Sequence, residues 1–482
     1  MKEQGSIPKG KIGRAASLAG TGVRIGANYA RYHAHKLVTG KDDREALHRA
    51  NATDTYNTLS RLKGGPLKVA QMLSIDTAFL PPAYAEQFAQ AHYQAPPLSY
   101  PLVERTFQRD VGRGPREIFD EFSQNAVSGA SIGQVHKARL GDHYYAVKVQ
   151  YPGVADSLRN DLRMVRPVAM RLFDLTAAEI DPYLSEVQER LLEETDYELE
   201  LRRGNELARR TEPEVPVRFP RAYPEYSSAR ILTMDWVDGE PLDRFARAEP
   251  PQEQRDRIGQ KLWDFYHYQV HTLRSFHADP HPGNFLVAGD DLWVLDFGCV
   301  KEIPDDFHDA YFRLLDPEVV VDRDLFAACL EDLDLLLDSD KPQERAKLLE
   351  LFEQSVRLLS RPFAVAEFDF SDPSYLEEIR TFGEQSSTDP ELKKIGSNRG
   401  STHGLYVNRA YFGLYSLMGL LGARIRTERP VLPPRPDRPL QRVDTGQRSQ
   451  PPPALPESPP LPPTRRPARL TVRRRAGRIL AQ

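Results

Sequence analysis

Apolar positions along this chain follow two periods, and the places where the period changes mark out its parts. Between about residues 10 and 110, Leu59, Leu62, Leu67, Met72 and Leu73 are spaced to line one helical face, with Pro81-Pro82 and Pro96-Pro97 as punctuation. Residues 115–150 then read as strands, closing on Tyr144-Tyr145-Ala146-Val147-Lys148-Val149, before a helical pattern returns over 155–210. After Pro216, the run from Ala229 to Val237 reads as another strand leading into a linker. From Glu253 onward the pattern is mainly helical. The stretch Gly404 to Ile425 reads as a packed helix, because Asn408, Arg409, Arg424 and several glycines make it a poor membrane span. One interruption breaks the helical run. Phe285-Leu286-Val287 and Leu292-Trp293-Val294-Leu295 are short apolar runs around the turn Gly289-Asp290-Asp291, which predicts a β-hairpin. No internal repeat is visible.

With 482 residues and 40% apolar content, the chain can bury a large core, and its length predicts two to three domains or lobes. Only Cys299 and Cys329 are present and no apolar run follows the basic N-terminus, so neither a disulfide framework nor a secretory signal is indicated and a cytosolic protein is expected. Charge is distributed unevenly. Residues 1–41 carry eight Lys or Arg against Glu3, and residues 430–482 carry eleven Arg against three acids. Those ends are +7 and +8, so a total of −4 leaves the body at −19. An acidic body argues against nucleic acid as a partner, while the basic ends are free to meet an anionic membrane surface or the body itself. Ile12, Leu18, Val23 and Ile25 among the N-terminal cations suit peripheral membrane contact. From Pro430 the chain holds fourteen of its forty prolines, which predicts a disordered Pro/Arg-rich tail. Its last stretch, Leu470 to Leu480, has the composition of a short basic helix. The sequence specifies no oligomeric state.

The residues that flank the predicted hairpin carry the chemistry. His277-Ala278-Asp279-Pro280-His281-Pro282-Gly283-Asn284 is followed twelve residues later by Asp296-Phe297-Gly298. Asp and Asn near Gly and Pro are ordinarily turn and capping residues. This order and spacing is instead that of protein kinases, in which the first Asp orients the acceptor while the Asn and the second Asp hold Mg²⁺. Lys148 ends an apolar strand in Ala146-Val147-Lys148, where a kinase places the lysine for the nucleotide phosphates. Upstream, Ser128-Gly129-Ala130-Ser131-Ile132-Gly133-Gln134-Val135 lies where kinases carry a glycine-rich loop, and only Gly133 is retained. Small residues there still let backbone N–H groups approach phosphate. For a carboxylate partner to Lys148, the segment from Glu193 to Glu200 offers several acids on a predicted helix, and periodicity does not select among them.

Together these motifs resemble the UbiB/AarF family of atypical, protein-kinase-like ATPases, over roughly residues 50 to 425. Lys68-Val69-Ala70-Gln71 is similar to the family's K-x-G-Q motif, Ser128 to Ser131 to its alanine-rich loop, and Glu194 and Asp196 to its E-x-D motif. The resemblance implies a two-lobed α+β kinase-like fold. Residues 42–112 would form a helical extension, 113–237 the small lobe with a family insert, and 238–429 the large lobe. It implies Mg-ATP as cofactor, with Lys148, Glu200 and Asp279 catalytic and Asn284 and Asp296 on the metal. Ser128, Gly129, Ala130, Ser131, Gly133, Val135, Met234 and Val237 would surround the nucleotide. Lys68 and Gln71 would cover the site beside Glu194 and Asp196, hindering protein substrates and favouring ATP hydrolysis. Support of isoprenoid quinone or lipid metabolism is implied too, with a lipid or quinone precursor as a further ligand. Two positions depart from the family pattern. Ala70 replaces the glycine of K-x-G-Q, and Ser128-Gly129 replaces two alanines, so Gly129 is expected to relax a brake on nucleotide binding. Two other readings are a nucleotide-gated scaffold with little turnover and a small-molecule phosphotransferase. The second shares the metal residues but leaves Lys68-Val69-Ala70-Gln71 unexplained.

Overall fold

In the computed structural model, the described residues are 11–39, 43–62, 99–129, 132–151, 191–395 and 399–427, with scattered positions between 154 and 188. Leu67, Lys68, Gln71, Met72, Leu73, Ala130, Ser131 and the tail from residue 428 lie outside them. By contact the chain divides into Met1–Val443 and Asp444–Gln482, and only the first contains described residues.

Two helices open the chain, α1 (Lys11–Thr39) and α2 (Arg44–Leu62). The seam between them is polar. The Thr21 and Thr58 hydroxyls lie 2.5 Å apart, and the Asn28 amide donates to Asn51 at 3.0 Å, while Val23 is exposed. Among the described residues no helix is long and apolar enough to cross a membrane.

A small lobe follows. Leu102, Val103, Thr106 and Phe107 recur one turn apart on α3 (Tyr100–Asp110), giving it one buried face. That face packs on a five-stranded antiparallel sheet of β1 (Glu121–Phe122), β2 (Ser128–Gly129), β3 (Gly133–Leu140), β4 (His143–Gln150) and β5 (Ile231–Asp235), in which β1 and β2 both pair with β3. Val103, Phe107, Phe119, Phe122, Tyr145, Val147, Val149 and Ile231 form its core. Side chains alternate across a strand, so the other face is available for a site. α4 (Tyr197–Thr211) carries Glu200 and Gly204.

The larger lobe is mainly helical around a second core, drawn largely from α5 (Gln252–Tyr268), α6 (Asp305–Arg313) and α7 (Thr402–Leu421). The predicted hairpin is β8 (Phe285–Ala288) with β9 (Asp291–Val294), joined by the short β6 (Glu240–Pro241). Gly289 makes its turn at φ +63°, a conformation glycine adopts without strain. β7 (Ser275–His277) pairs with β10 (Val300–Glu302), so the hairpin begins and ends beside one ladder. The packed helix expected over Gly404 to Ile425 ends earlier. Gly422, left-handed at φ +56°, terminates α7, and Arg424–Arg426 forms β12, paired with β11 (Glu367–Asp369).

One buried clamp makes a stability prediction. Arg399 donates to Asp340 at 2.8 and 2.5 Å, and the two side chains are only 11% and 3% exposed. Arg399→Met would strand the Asp340 carboxylate and should cost roughly 3–5 kcal/mol. The Arg399 hydrogen bond also holds Asp340 below the ordinary carboxylate range. A depressed carboxylate contributes stability above its ordinary pKa and loses it as pH falls through the depressed value. The gap between wild type and Arg399→Met should therefore narrow in acid, as urea unfolding at pH 7 and pH 3.5 would show.

Candidate active site

Strand register assembles the roof of the site. Val135 lies opposite Lys148, Lys148 opposite Leu232, and Ala146 opposite Met234. Cross-strand partners share a face, so Val135, Ala146, Lys148, Leu232 and Met234 line the side turned away from the α3 core. Val237 follows the end of β5. Gly133 opens β3 because nothing larger fits. A Cβ there would lie 2.6 Å from the Val149 carbonyl oxygen and 2.7 Å from the Tyr197 hydroxyl. Ser128 and Gly129 form exposed β2 against Val135 and Gln134, so the expected loop begins as a strand pair.

The acidic run from Glu193 to Glu200 is not one helix. A helical segment covers residues 191–194, Thr195 turns, and Asp196 starts α4 by accepting the Leu199 N–H at 2.9 Å. Asp196 is thus an N-cap. Glu194 sits against the Asp296-Phe297-Gly298 motif, its Cγ 3.4 Å from where a Cβ on Gly298 would stand. Restarting the helix at Asp196 places Glu200 inward. Lys148 donates to both Glu200 oxygens, at 2.7 and 3.0 Å, and its ammonium lies 3.4 Å from Asp296 Oδ2.

Lys148 and Glu200 are buried, whereas the Asp296 side chain is 39% exposed and open to a ligand. Burial works against the Lys148 charge, but Asp296 and Glu200 outweigh it and hold the ammonium well above its usual range. Glu200 is pushed up to about 7 by burial, against the pull of Lys148. Partial burial also opposes the Asp296 charge, yet Lys148 and the Gly298 N–H hold it below the ordinary value. One cation thus faces two carboxylates.

The hairpin register brings the remaining pair together. The Leu295 N–H donates to the Asn284 carbonyl at 2.9 Å, which sets Asn284 next to the start of Asp296-Phe297-Gly298. The Asn284 amide nitrogen donates to the Asp279 carbonyl at 2.9 Å, leaving its side-chain oxygen as the end a cation would meet. Among the described residues no group of three or more His, Cys, Asp or Glu forms a protein-only metal cage. A carboxylate and an amide oxygen beside excess negative charge fit Mg²⁺ completed by phosphate oxygens.

Two positioning devices were not legible in the motif. The His277 ring bridges the two aspartate segments, with Nε2 donating to the Asp296 carbonyl at 2.6 Å and Nδ1 accepting the Asp279 N–H at 3.3 Å. Gly204 on α4 lets the Phe297 ring approach to 2.7 Å of where its Cβ would be, locking the helix of Glu200 to the motif of Asp296. Both link residues far apart in the chain, so only the motif His itself was a local signal.

Residues 90–328 match the family described as the ABC1 atypical kinase-like domain. The chain is similar to the Danio rerio protein named atypical kinase COQ8B, mitochondrial, at 29% identity over 78% of this chain, and the match spans 61% of that relative's length. It is 25% identical to the Saccharomyces cerevisiae atypical kinase COQ8, mitochondrial, over 87% of this chain and 84% of that one. Among solved structures it resembles Rv3197 of Mycobacterium tuberculosis, determined in complex with erythromycin, at a TM-score of 0.55 and 26% identity, covering 80% of this chain and 95% of that one. Its two-lobed kinase-like domain, matched over residues 90–328, makes this chain a member of the ABC1 family of atypical kinase-like proteins, also called UbiB/AarF.

Proposed function

We propose that the chain binds Mg-ATP and transfers the terminal phosphoryl group, to water or to an acceptor hydroxyl, in support of isoprenoid quinone or lipid metabolism. The observation that carries this reading is the Lys148–Glu200 pair standing 3.4 Å from Asp296. Lys148, held by Glu200, would neutralise phosphate oxygens, and Asp296 with Asn284 would hold the metal. Bound there, Mg²⁺ would supply charge neutralisation across the phosphates. Asp279 would orient the attacking oxygen. His277 and Asn284 fix its backbone, so most of the catalytic effect is positioning and charge stabilisation.

The test is Mg²⁺-dependent phosphate release from ATP by the full chain and by Asp296→Asn, with and without anionic liposomes and a quinone-precursor-like phenol. Release that needs Asp296 and rises with lipid or phenol supports a membrane-surface ATPase. Retained nucleotide binding with no release favours the nucleotide-gated scaffold. A separate variant addresses the loop. A Cβ at Gly129 meets nothing within 4 Å, so Gly129→Ala changes the loop without a packing cost. It is expected to weaken ADP and ATP binding several-fold in calorimetry, and unchanged affinities together with unchanged autophosphorylation would remove the brake from the account.

A further inference from the structure

We propose that Arg409, on α7, is a positioning residue for Asp279. The inference rests on the reading of Asp279 as the group that orients the attacking oxygen, and it adds a second element to that task.

α7 is seated on the catalytic loop by a contact that tolerates no side chain. A Cβ on Gly413 would lie 1.9 Å from Pro280 Cγ, so the helix backbone lies directly against the residue after Asp279. The turn before Gly413 is anchored on both sides. The Tyr311 hydroxyl donates to Asn408, and the Tyr411 hydroxyl lies 2.9 Å from His271 Nε2, in the π-helical turn Gln269–Leu273 that precedes β7. Arg409 sits between these anchors, one turn before Gly413 and on the same side of the helix. Its guanidinium reaches to 3.4 Å from Asp279 Oδ1, with the two side chains 18% and 21% exposed. Arg409 Nε is buried without a hydrogen-bond partner. A buried donor left unpaired is costly, so packing and the Asp279 contact, not its own hydrogen-bond count, hold this arginine in place.

The Asp279 N–H donates to His277 and its carbonyl accepts from the Asn284 amide and the His281 N–H, which settles the backbone. A guanidinium 3.4 Å from Oδ1 biases the carboxylate toward one rotamer. A misplacement of about 1 Å in such a group can cost 10²-fold in rate.

Arg409→Gln and Arg409→Lys, each in wild-type and Asp279→Asn backgrounds, decide the matter. Arg409→Gln should lower kcat for phosphate release about 10–100-fold with KM for ATP unchanged. Arg409→Lys should recover part of that loss, and Arg409→Gln should add nothing in the Asp279→Asn background. Equal losses in both backgrounds, or a raised KM with kcat intact, would overturn the proposal. If wild type shows no Asp296-dependent release, the phosphoryl-transfer reading has failed on its own account. The pairing is then judged by urea unfolding of the same four-variant cycle, where additive midpoint shifts overturn it and coupled shifts support it.

Discussion

Asp296→Asn is expected to reduce Mg²⁺-dependent phosphate release by on the order of 10³-fold or more while leaving the fold intact, which corresponds to several kcal/mol of transition-state stabilisation. The substitution is nearly isosteric. The side-chain oxygen of asparagine can still accept the Gly298 N–H, now at 2.9 Å, and Lys148 keeps its 2.7 Å bond to Glu200. What disappears is the negative charge on the one carboxylate of the trio that is substantially exposed. A divalent cation completed by phosphate would then have an amide where it needs an anion. Initial-rate phosphate release across a Mg²⁺ titration, beside thermal melting of both proteins, checks this. Undiminished turnover with an unchanged melting curve would overturn the metal-holding role proposed for Asp296.

Lys148→Met is expected to act on stability as well as on nucleotide binding. Removing the ammonium leaves Glu200, 2% exposed, without its cation, and breaking a buried pair from one side typically costs roughly 3–5 kcal/mol. The loss should depend on pH with a definite sign. A carboxyl whose folded pKa is raised contributes stability below its ordinary value and loses it as pH rises through the folded value, about 7 for Glu200 here. Without Lys148 the folded value moves higher still, so the penalty keeps growing beyond pH 7. Urea unfolding should therefore show a larger deficit at pH 8 than at pH 5. A Lys148→Met, Glu200→Leu double variant should recover much of the loss, since well-packed apolar residues can replace a buried ion pair. Loss of one charged hydrogen bond to phosphate, about 1.5–3 kcal/mol, corresponds to roughly 10–100-fold weaker ATP binding by the single variant. An equal deficit relative to wild type at pH 5 and pH 8 would show that Glu200 is not the group left exposed to the loss.

Several parts of this site were written locally. The hairpin of β8 and β9 follows from two apolar runs around Gly289, and its register alone places Asn284 beside Leu295, next to Asp296. The strand of Lys148 follows from an apolar run, and the face it shares with Val135 and Met234 follows from the two-residue period of a strand. The family resemblance selected Glu200 where composition offered several acids. The expectation of a single acidic helix was lost to Thr195 and Asp196, whose turn and cap chemistry breaks the helix and restarts it.

By itself, then, the sequence determined the hairpin, the strand of Lys148 and the motif spacing of Asp279, Asn284 and Asp296, because turn residues, strand period and motif spacing act over a few positions. Only the tertiary structure decided how they are held. The Lys148–Glu200 bond joins residues 52 apart, and the Arg409–Asp279 contact joins residues 130 apart. Gly204 and Gly413 are small because Phe297 and Pro280 occupy the space beside them. Such contacts depend on which helix face meets which loop after the two lobes pack, and hydrophobic periodicity fixes a face without naming the residue it will touch.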